Sequence, residues 1–323
     1  MKAIVRDAYG SPDVLELREI DIPEIADDEV LVHVHAAGVG RDVWHVMRGL
    51  PYPIRLAGYG FRAPKNPVIG SDVAGVVEAV GNKVSRFQPG DEVFGIGKGS
   101  YAEYVCARED KLAPKPTNLT FEQAAVVAIM GSTALQALRD HGKVRQGQEV
   151  LIIGASGGVG TYAVQIAKAF GAHVSGVCST QKVEMVRSIG ADHVIDYTQG
   201  DFAEGDQRYD VILDIGGNST LSHLRRALAS RGTLVIVGGE GGGRWLGGTD
   251  RQLRAMMLSP LVGQKLGTFV NKENHEDLIV LGELIESGKI TPVIDRTYPL
   301  AEVPEAIRYL EEGHARGKVV ISV

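Results

Sequence analysis

Apolar and polar positions trade places at short intervals over roughly the first 128 residues. "EVLVHVHAAGV" at Glu29–Val39 alternates with the period of a half-buried strand, and "DVAGVVEAVG" at 72–81 ends in a glycine turn. "PGDEVFGIG" at 89–97 supplies turn, strand and turn. Short strands punctuated by glycine and proline predict a compact barrel or sandwich. Near Phe121 the rhythm changes: "FEQAAVVAIMGSTALQALRDHG" is alanine-rich and reads as helical. Beyond it, near-continuous apolar strands alternate with helical stretches, from "EVLIIGA" through "HVSGVC", "DHVIDY" and "YDVILDIGG" to "GTLVIVGG". That alternation predicts a parallel sheet covered by helices on both faces. The tail predicts helices over 274–287 and 303–312 and a last strand, "KVVISV".

The most informative stretch is "IIGASGGVGTYAV" at 152–164, where Gly154, Gly157 and Gly160 recur at every third position. It follows a predicted strand and opens a predicted helix, the context a dinucleotide site requires. Gly154 permits the sharp turn, Gly157 lets backbone approach a pyrophosphate, and Gly160 lets the helix pack on the strand. The amides of Ser156, Gly157, Gly158, Val159 and Gly160 point at the phosphates, aided by the helix dipole. An NAD site needs an acid at the end of the second strand; "VCSTQKVEM" has Cys178, Ser179 and Thr180 there, and Glu184 comes too late. Ser179 and Lys182 instead suit a 2′-phosphate, so NADPH is the expected cofactor. A structural alternative has Ser179 capping the next helix and Lys182 as a solvated charge.

Length and composition sharpen this picture. A chain of 323 residues predicts two domains. A net charge of −6 leaves no electrostatic footprint for nucleic acid or anionic membrane. Cys106 and Cys178 have no CxxC spacing, so a reducing, cytoplasmic setting is expected, and both read as packing residues. No signal peptide or membrane span is expected.

"GSDVAGVVEAVGNKVSRFQPGDEVFG", the glycine loop and the closing "GHARGKVVISV" together resemble the medium-chain dehydrogenase/reductase superfamily, in its zinc-free quinone oxidoreductase branch. The resemblance covers nearly the whole chain. It implies an α/β fold: a doubly wound parallel-sheet (Rossmann) NADP(H)-binding domain at 126–265, plus a mainly β GroES-like domain at 1–125 completed by 266–323. "GSDVAGVVEAVGNKV" is similar to the zinc alcohol dehydrogenase signature with Ser71 for its histidine and Asp72 for its glutamate. Gly40 stands at the cysteine ligand position, and no structural zinc lobe is present. No zinc is therefore expected, because a catalytic site needs three protein ligands. His33 and His35 sit two apart on a strand, and His45 follows a turn with no cysteine nearby.

Without a Lewis acid, oxidising a simple alcohol is hard, whereas a quinone or α,β-unsaturated carbonyl spreads the incoming charge itself. The resemblance implies NADPH-dependent reduction of quinones, enones or enoyl thioesters. It makes Tyr52, in "MRGLPY", the candidate proton donor, with water as the alternative. Asp42 and His45 flank the same segment as candidate substrate contacts. The resemblance sets Thr133, at the start of the helix entering the second domain, at the nicotinamide end. Tyr197 matches a tyrosine near the adenosine phosphate, and Phe269 and Val270 match the strand beside the nicotinamide ring. Gly238 and Gly239 end a parallel strand, where ligands of such sheets bind. Lys318 either reaches the cofactor or pairs on the surface. The long stretch at 50–67 is expected to shape the acceptor pocket, and the glycine-dense 238–248 reads as a functional or mobile loop. Two further readings are an enoyl-thioester reductase and a redox-silent NADPH-binding regulator. A homodimer is implied by the resemblance.

Overall fold

Strand formation follows the apolar alternation closely. In the computed structural model, which describes residues 1–239 and 243–323, the chain divides into two compact units. One is Met1–Ser132 with Lys272–Val323, and the other is Thr133–Asn271.

The first unit opens with an antiparallel pair, β1 (Lys2–Val5) and β2 (Glu16–Glu19). Its main sheet is built around β3 (Glu29–Val39), which pairs antiparallel with β4 (Asp72–Val80) and, further along, with β6 (Tyr104–Arg108). β5 (Glu92–Ile96) and β7 (Leu112–Pro114) extend the sheet beyond β4. Alternation in β3 buries Val30, Val32 and Val34 and turns His33 and His35 outward. Those valines pack on Val73, Val77 and Phe87, forming one core. Burial of apolar side chains like these is worth about 1.5–3 kcal/mol each.

Helix α1 (Arg41–Arg48) leaves β3 at Gly40 and stops at Gly49, whose φ of 60° ends it in the left-handed region. The stretch at 50–67 is not structureless: Arg55–Tyr59 forms a π-turn, and the Tyr9 hydroxyl donates to the carbonyls of Tyr59 (2.8 Å) and Gly60 (2.6 Å).

The helical stretch at 121–142 is built from several pieces. A Thr120–Gln123 capping box starts α2 (Phe121–Ala124), α3 follows at Ala128–Gln136, and a π-turn at Ala137–Gly142 closes the segment. A carboxylate from elsewhere supports the interruption: Asp72 Oδ1 on β4 accepts the Ile129 amide, 2.9 Å away, in the first turn of α3.

The second unit carries β8 (Glu149–Ile153), β9 (His173–Cys178), β10 (His193–Asp196), β11 (Tyr209–Asp214), β12 (Leu228–Ile236) and β13 (Lys265–Thr268). All pairs are parallel, in the order β10-β9-β8-β11-β12-β13. This is the doubly wound Rossmann order, whose direction reverses at β8. Its helices are α4 (Gly158–Ala169), α5 (Val183–Ser188), α6 (Leu221–Ala227), α7 (Gly243–Leu246) and α8 (Thr249–Leu258). Because β13 hydrogen-bonds to β12, residues 265–268 belong to this sheet. The unit accordingly ends at Asn271, later than the 265 expected from sequence, and begins at Thr133 rather than 126.

The C-terminal segment returns to the first unit with α9 (His275–Glu286), β14 (Ile294–Pro299), α10 (Val303–Glu311) and β15 (Lys318–Ser322). β15 lies antiparallel on the second half of β3, where Ala37 and Val39 join a core with Val319 and Ile321 while Gly38 is backed by Ala125 and Asp72, so residues 36–39 are buried without alternation. Among the described residues no helix is long and apolar enough to cross a membrane.

Candidate functional site

The glycine loop leaves β8 at the point where the strand order reverses. Gly154 holds φ at +86°, a left-handed conformation that glycine adopts without penalty. The amides of Gly154 and Ala155 both donate to the Val177 carbonyl, at 3.2 and 3.1 Å, which fastens the loop to the end of β9. Gly157 caps α4 with backbone alone, and no side chain satisfies the cap. By helix geometry the first-turn amides of Gly158, Val159 and Gly160 lack intrahelical acceptors. A Cβ on Gly160 would lie 2.1 Å from the Gly154 carbonyl oxygen, so the helix packs as tightly as glycine allows. A Cβ on Gly157 would meet nothing nearer than 3.5 Å, leaving that face of the loop open. Ser156, at 7% exposure, is enclosed beside it. A turn, an open approach and a close contact are what a pyrophosphate cradle demands.

At the neighbouring strand end, Ser179 precedes a single 3-10 turn at Thr180–Lys182, but its hydroxyl makes no capping bond. Pairing of Cys178 with Asp196, and the Tyr197 amide donating to the Cys178 carbonyl at 3.1 Å, bring the Ser179–Lys182 turn and Tyr197 to one corner. Tyr197 is 63% exposed there. The sequence inspection missed Asp196, an acid that the parallel ladder delivers to this corner from the next strand. Its Oδ1 accepts the Thr198 amide (2.9 Å) and hydroxyl (2.8 Å). Hydrogen bonding from Thr180 leads the effects holding this carboxyl below its usual range. Cys178 is buried, and desolvation pushes its thiol up to about 11, consistent with packing rather than reactivity.

At the ends of β11 and β12 sits a residue pair that no local motif announced. Asp214, fully buried, meets Arg251 Nη1 at 2.5 Å. The same guanidinium donates to the carbonyls of Ser219 (2.8 Å) and Gly238 (2.9 Å). Burial raises the Asp214 carboxyl while Arg251 opposes the rise. Gly238 and Gly239 thus follow β12 with one carbonyl held from α8. Of the glycine-dense 238–248, residues 240–242 lie outside the described residues, and Gly243–Leu246 is helical rather than loop.

Three positions differ from expectation. Phe269 and Val270 lie past the strand end, because the ladder stops at the Ile236–Thr268 pair. Phe269 stacks on His141 with centroids 4.5 Å apart, and Val270 is 87% exposed. Thr133 stands in the middle of α3, not at a helix start, because that helix begins at Ala128.

In the first unit, Gly40 is tightly enclosed. A Cβ there would lie 2.3 Å from Asp42 Oδ1, 2.6 Å from Met130 Cε and 3.3 Å from Lys318 Nζ. Lys318 is not a surface cation: it is 3% exposed and pairs with Asp72, itself buried, at 3.4 Å. Burial pushes the Asp72 carboxyl up to about 6 against the pull of Lys318. Asp42 Oδ1 is buried without a hydrogen-bond partner. His45 Nδ1 contacts the Leu50 carbonyl at 2.9 Å and its ring meets Trp44 edge-on, so it serves the helix end. The Arg55 guanidinium lies over the Tyr52 ring, 5.0 Å from its centroid.

A groove of about 450 Å³ lies wholly within this unit, with Val43, Val46, Ser71 and Ile96 among its walls. The 50–67 stretch supplies Gly58, Tyr59 and Lys65 to it. Asp42, His45 and Tyr52 do not line this groove. Tyr59 does, and burial raises its hydroxyl pKa. The glycine-flanked "GYG" was the available sequence signal for that residue.

Comparison with known proteins agrees with this architecture. A family model described as "Alcohol dehydrogenase GroES-like domain" matches residues 26–117, and one described as "Zinc-binding dehydrogenase" matches 189–321. The mouse protein "NAD(P)H oxidoreductase RTN4IP1, mitochondrial" is 37% identical, over all of this chain and 89% of its own length. "NADPH-dependent alkenal/one oxidoreductase, chloroplastic" from Arabidopsis thaliana is 36% identical, over 99% of this chain and 79% of its own. The crystal structure of Escherichia coli quinone oxidoreductase complexed with NADPH superposes with a TM-score of 0.85 at 27% identity, covering 100% of both chains.

Proposed function

Since the chain belongs to the quinone oxidoreductase branch of the medium-chain dehydrogenase/reductase superfamily, we propose that this NADPH-dependent oxidoreductase reduces quinones or other α,β-unsaturated carbonyls without zinc. One observation carries the choice of acceptor. Where the resemblance sets the metal ligands of zinc enzymes, this chain has Gly40 and Ser71. The Gly40 surroundings are filled by Asp42, Met130 and the Lys318 ammonium. One carboxylate beside a thioether and an ammonium falls short of the three thiolate, imidazole or carboxylate ligands that a catalytic zinc takes. Among the described residues no three His, Cys, Asp or Glu side chains cluster as a metal would require. An acceptor that delocalises charge by its own conjugation suits such a site. A simple alcohol, which needs its hydroxyl acidified, does not.

The residues present fit NADPH. Bound NADPH supplies the hydride. The amides of Gly157 through Gly160, beside Ser156 and the Gly154 turn, hold its pyrophosphate, and Ser179 and Lys182 receive the 2′-phosphate. Tyr197 flanks the adenosine phosphate, while Thr133, Gly238, Gly239, Phe269 and Val270 belong to the nicotinamide end. Charge-assisted hydrogen bonds are worth about 1.5–3 kcal/mol. Lys182→Ala is therefore expected to lower kcat/KM for NADPH by roughly 10–100-fold and leave NADH nearly unchanged. An equal loss with both coenzymes would remove Lys182 from phosphate recognition.

Tyr52 is proposed to give the proton that follows hydride transfer to an enone, and Asp42 and His45 to border the acceptor. For Tyr52→Phe the expected result is a fall of roughly 100-fold in enone reduction with little change for quinones, whose oxygens protonate readily from water. If Tyr59→Phe shows that split and Tyr52→Phe does not, the donor is Tyr59. The decisive assay of the overall reading is NADPH oxidation against matched quinones, enones and enoyl thioesters, with and without added zinc. Ethanol oxidation that a chelator abolishes would overturn it.

A homodimer and a cytoplasmic setting complete the proposal. Among the described residues β13 is an edge strand, and that edge, with exposed Met256, Met257 and Leu261 in the same unit, supports self-association. The two free cysteines, with thiols pushed up to about 11 by burial, support a reducing compartment.

A further inference from the structure

The groove in the first unit has a charge opposite to that of the protein. The whole chain carries −6, yet the groove is lined by Arg6, Lys65, Lys98, Arg108 and Lys111. Only two carboxylates, Glu29 and Glu273, face these cations. Glu273 is engaged by Lys111, and Arg108 is held by Asp28 at 3.2 Å and Asp110 at 2.9 Å. Glu29 accepts the Ala26 amide at 3.2 Å. Among the described residues, Arg6, Lys65 and Lys98 have no carboxylate partner.

Arg6 is the unusual member. It is 2% exposed, and burial lowers its pKa to about 10. Nη1 donates to the Val46 carbonyl at 2.6 Å, closing the end of α1. Its Nε is buried with no partner at all. The guanidinium also lies 5.2 Å from the Tyr9 ring centroid, a contact that does not neutralise its charge. A buried cation without a counter-charge is costly, and an arriving anion relieves that cost. Lys65 and Lys98, both exposed, stand on the same groove and raise the local concentration of anions.

We infer that this groove seats an oxyanion carried by the acceptor, with Arg6 as the enclosed cation and Lys65 and Lys98 as the outer pair. The ligand class is a conjugated carbonyl compound bearing a carboxylate at a distance from the reacting atoms. Val43, Val46 and Tyr59, which also line the groove, suit the carbon skeleton between the two ends. The inference rests on the hydride-acceptor reading above, which it narrows from conjugated carbonyls in general to anionic ones.

The test compares 7-oxooct-5-enoate with its methyl ester, since the saturated spacer leaves the two enones equally reactive. At low ionic strength the acid is expected to show a kcat/KM about tenfold above the ester, falling toward parity as salt is added. The Lys65→Ser/Lys98→Ser double variant alters only exposed side chains and is expected to lower the acid-to-ester ratio about threefold. Arg6→Met is expected to abolish the preference. Because that variant also loses the Val46 contact, its fold is checked by thermal unfolding. Calorimetry with the saturated 7-oxooctanoate reads the seat without turnover. If neither enone is reduced yet 7-oxooctanoate binds and the double variant weakens it, the seat stands and the hydride-acceptor reading fails. Equal kcat/KM for acid and ester, or a preference unchanged in the double variant, overturns the seat.

Discussion

Gly160→Ala is expected to cost the nucleotide unit about 3 kcal/mol, at the upper end of overpacking penalties, and to weaken NADPH binding by roughly 100-fold. The added Cβ would stand 2.1 Å from the Gly154 carbonyl oxygen and 2.7 Å from the Ala155 carbonyl carbon, both backbone atoms of the loop itself. Neither can rotate away as a side-chain tip would, so α4 must shift and carry its first-turn amides with it. Gly157→Ala is the control that separates the two losses. Its Cβ would sit 3.5 Å from the Gly154 carbonyl oxygen, an ordinary contact distance. Its expected signature is a Tm close to that of the parent with weakened NADPH affinity, since the methyl projects where the pyrophosphate approaches. Thermal unfolding with NADPH fluorescence titration checks both variants. Undiminished binding by Gly157→Ala would mean that the open face is not the phosphate seat.

Lys318→Met is expected to destabilise the first unit by about 3–5 kcal/mol at pH 8, because Asp72 would be left charged, buried and unpaired. The pH dependence follows from the direction of the Asp72 shift. Its carboxyl lies at about 6 in the folded chain, above the value of about 3.9 for an exposed aspartate. The folded state therefore binds more protons across that window, and this group's contribution to stability falls as pH rises through it. Removing Lys318 takes away the charge that opposes the shift, so the upper end of the window moves higher still. At pH 5 Asp72 is then neutral, and most of the loss is expected to disappear. Urea unfolding at the two pH values, followed through Trp44 on α1, measures the difference. An equal loss at both would show that the pair contributes by packing alone.

Much of the second unit was legible because its strands are short, apolar and separated by helices, so periodicity and composition point the same way. The expected helices over 274–287 and 303–312 are found at His275–Glu286 and Val303–Glu311 for the same reason. Long-range contacts defeated the local signals elsewhere. The helical stretch at 121–142 is interrupted where Asp72, far earlier in the chain, receives the Ile129 amide. Arg6 follows an apolar strand like an ordinary solvent-side cation, and only its contacts with Val46 and Pro67 reveal that it is enclosed. Asp196 leaves no signal along the second strand, because parallel pairing brings it to that corner from the third. The chain-local features of the candidate site were readable, while its electrostatics depended on partners distant in sequence.

Arg251 has a mechanical consequence. One guanidinium touches the last residue of β11, the turn before α6 and the segment after β12, so none of the three can peel away alone without stranding a charge or a hydrogen-bond donor. They are expected to open as one latch. Hydrogen exchange at the Gly217 and Gly238 amides should then report one shared opening free energy, and Arg251→Ala should lower both together.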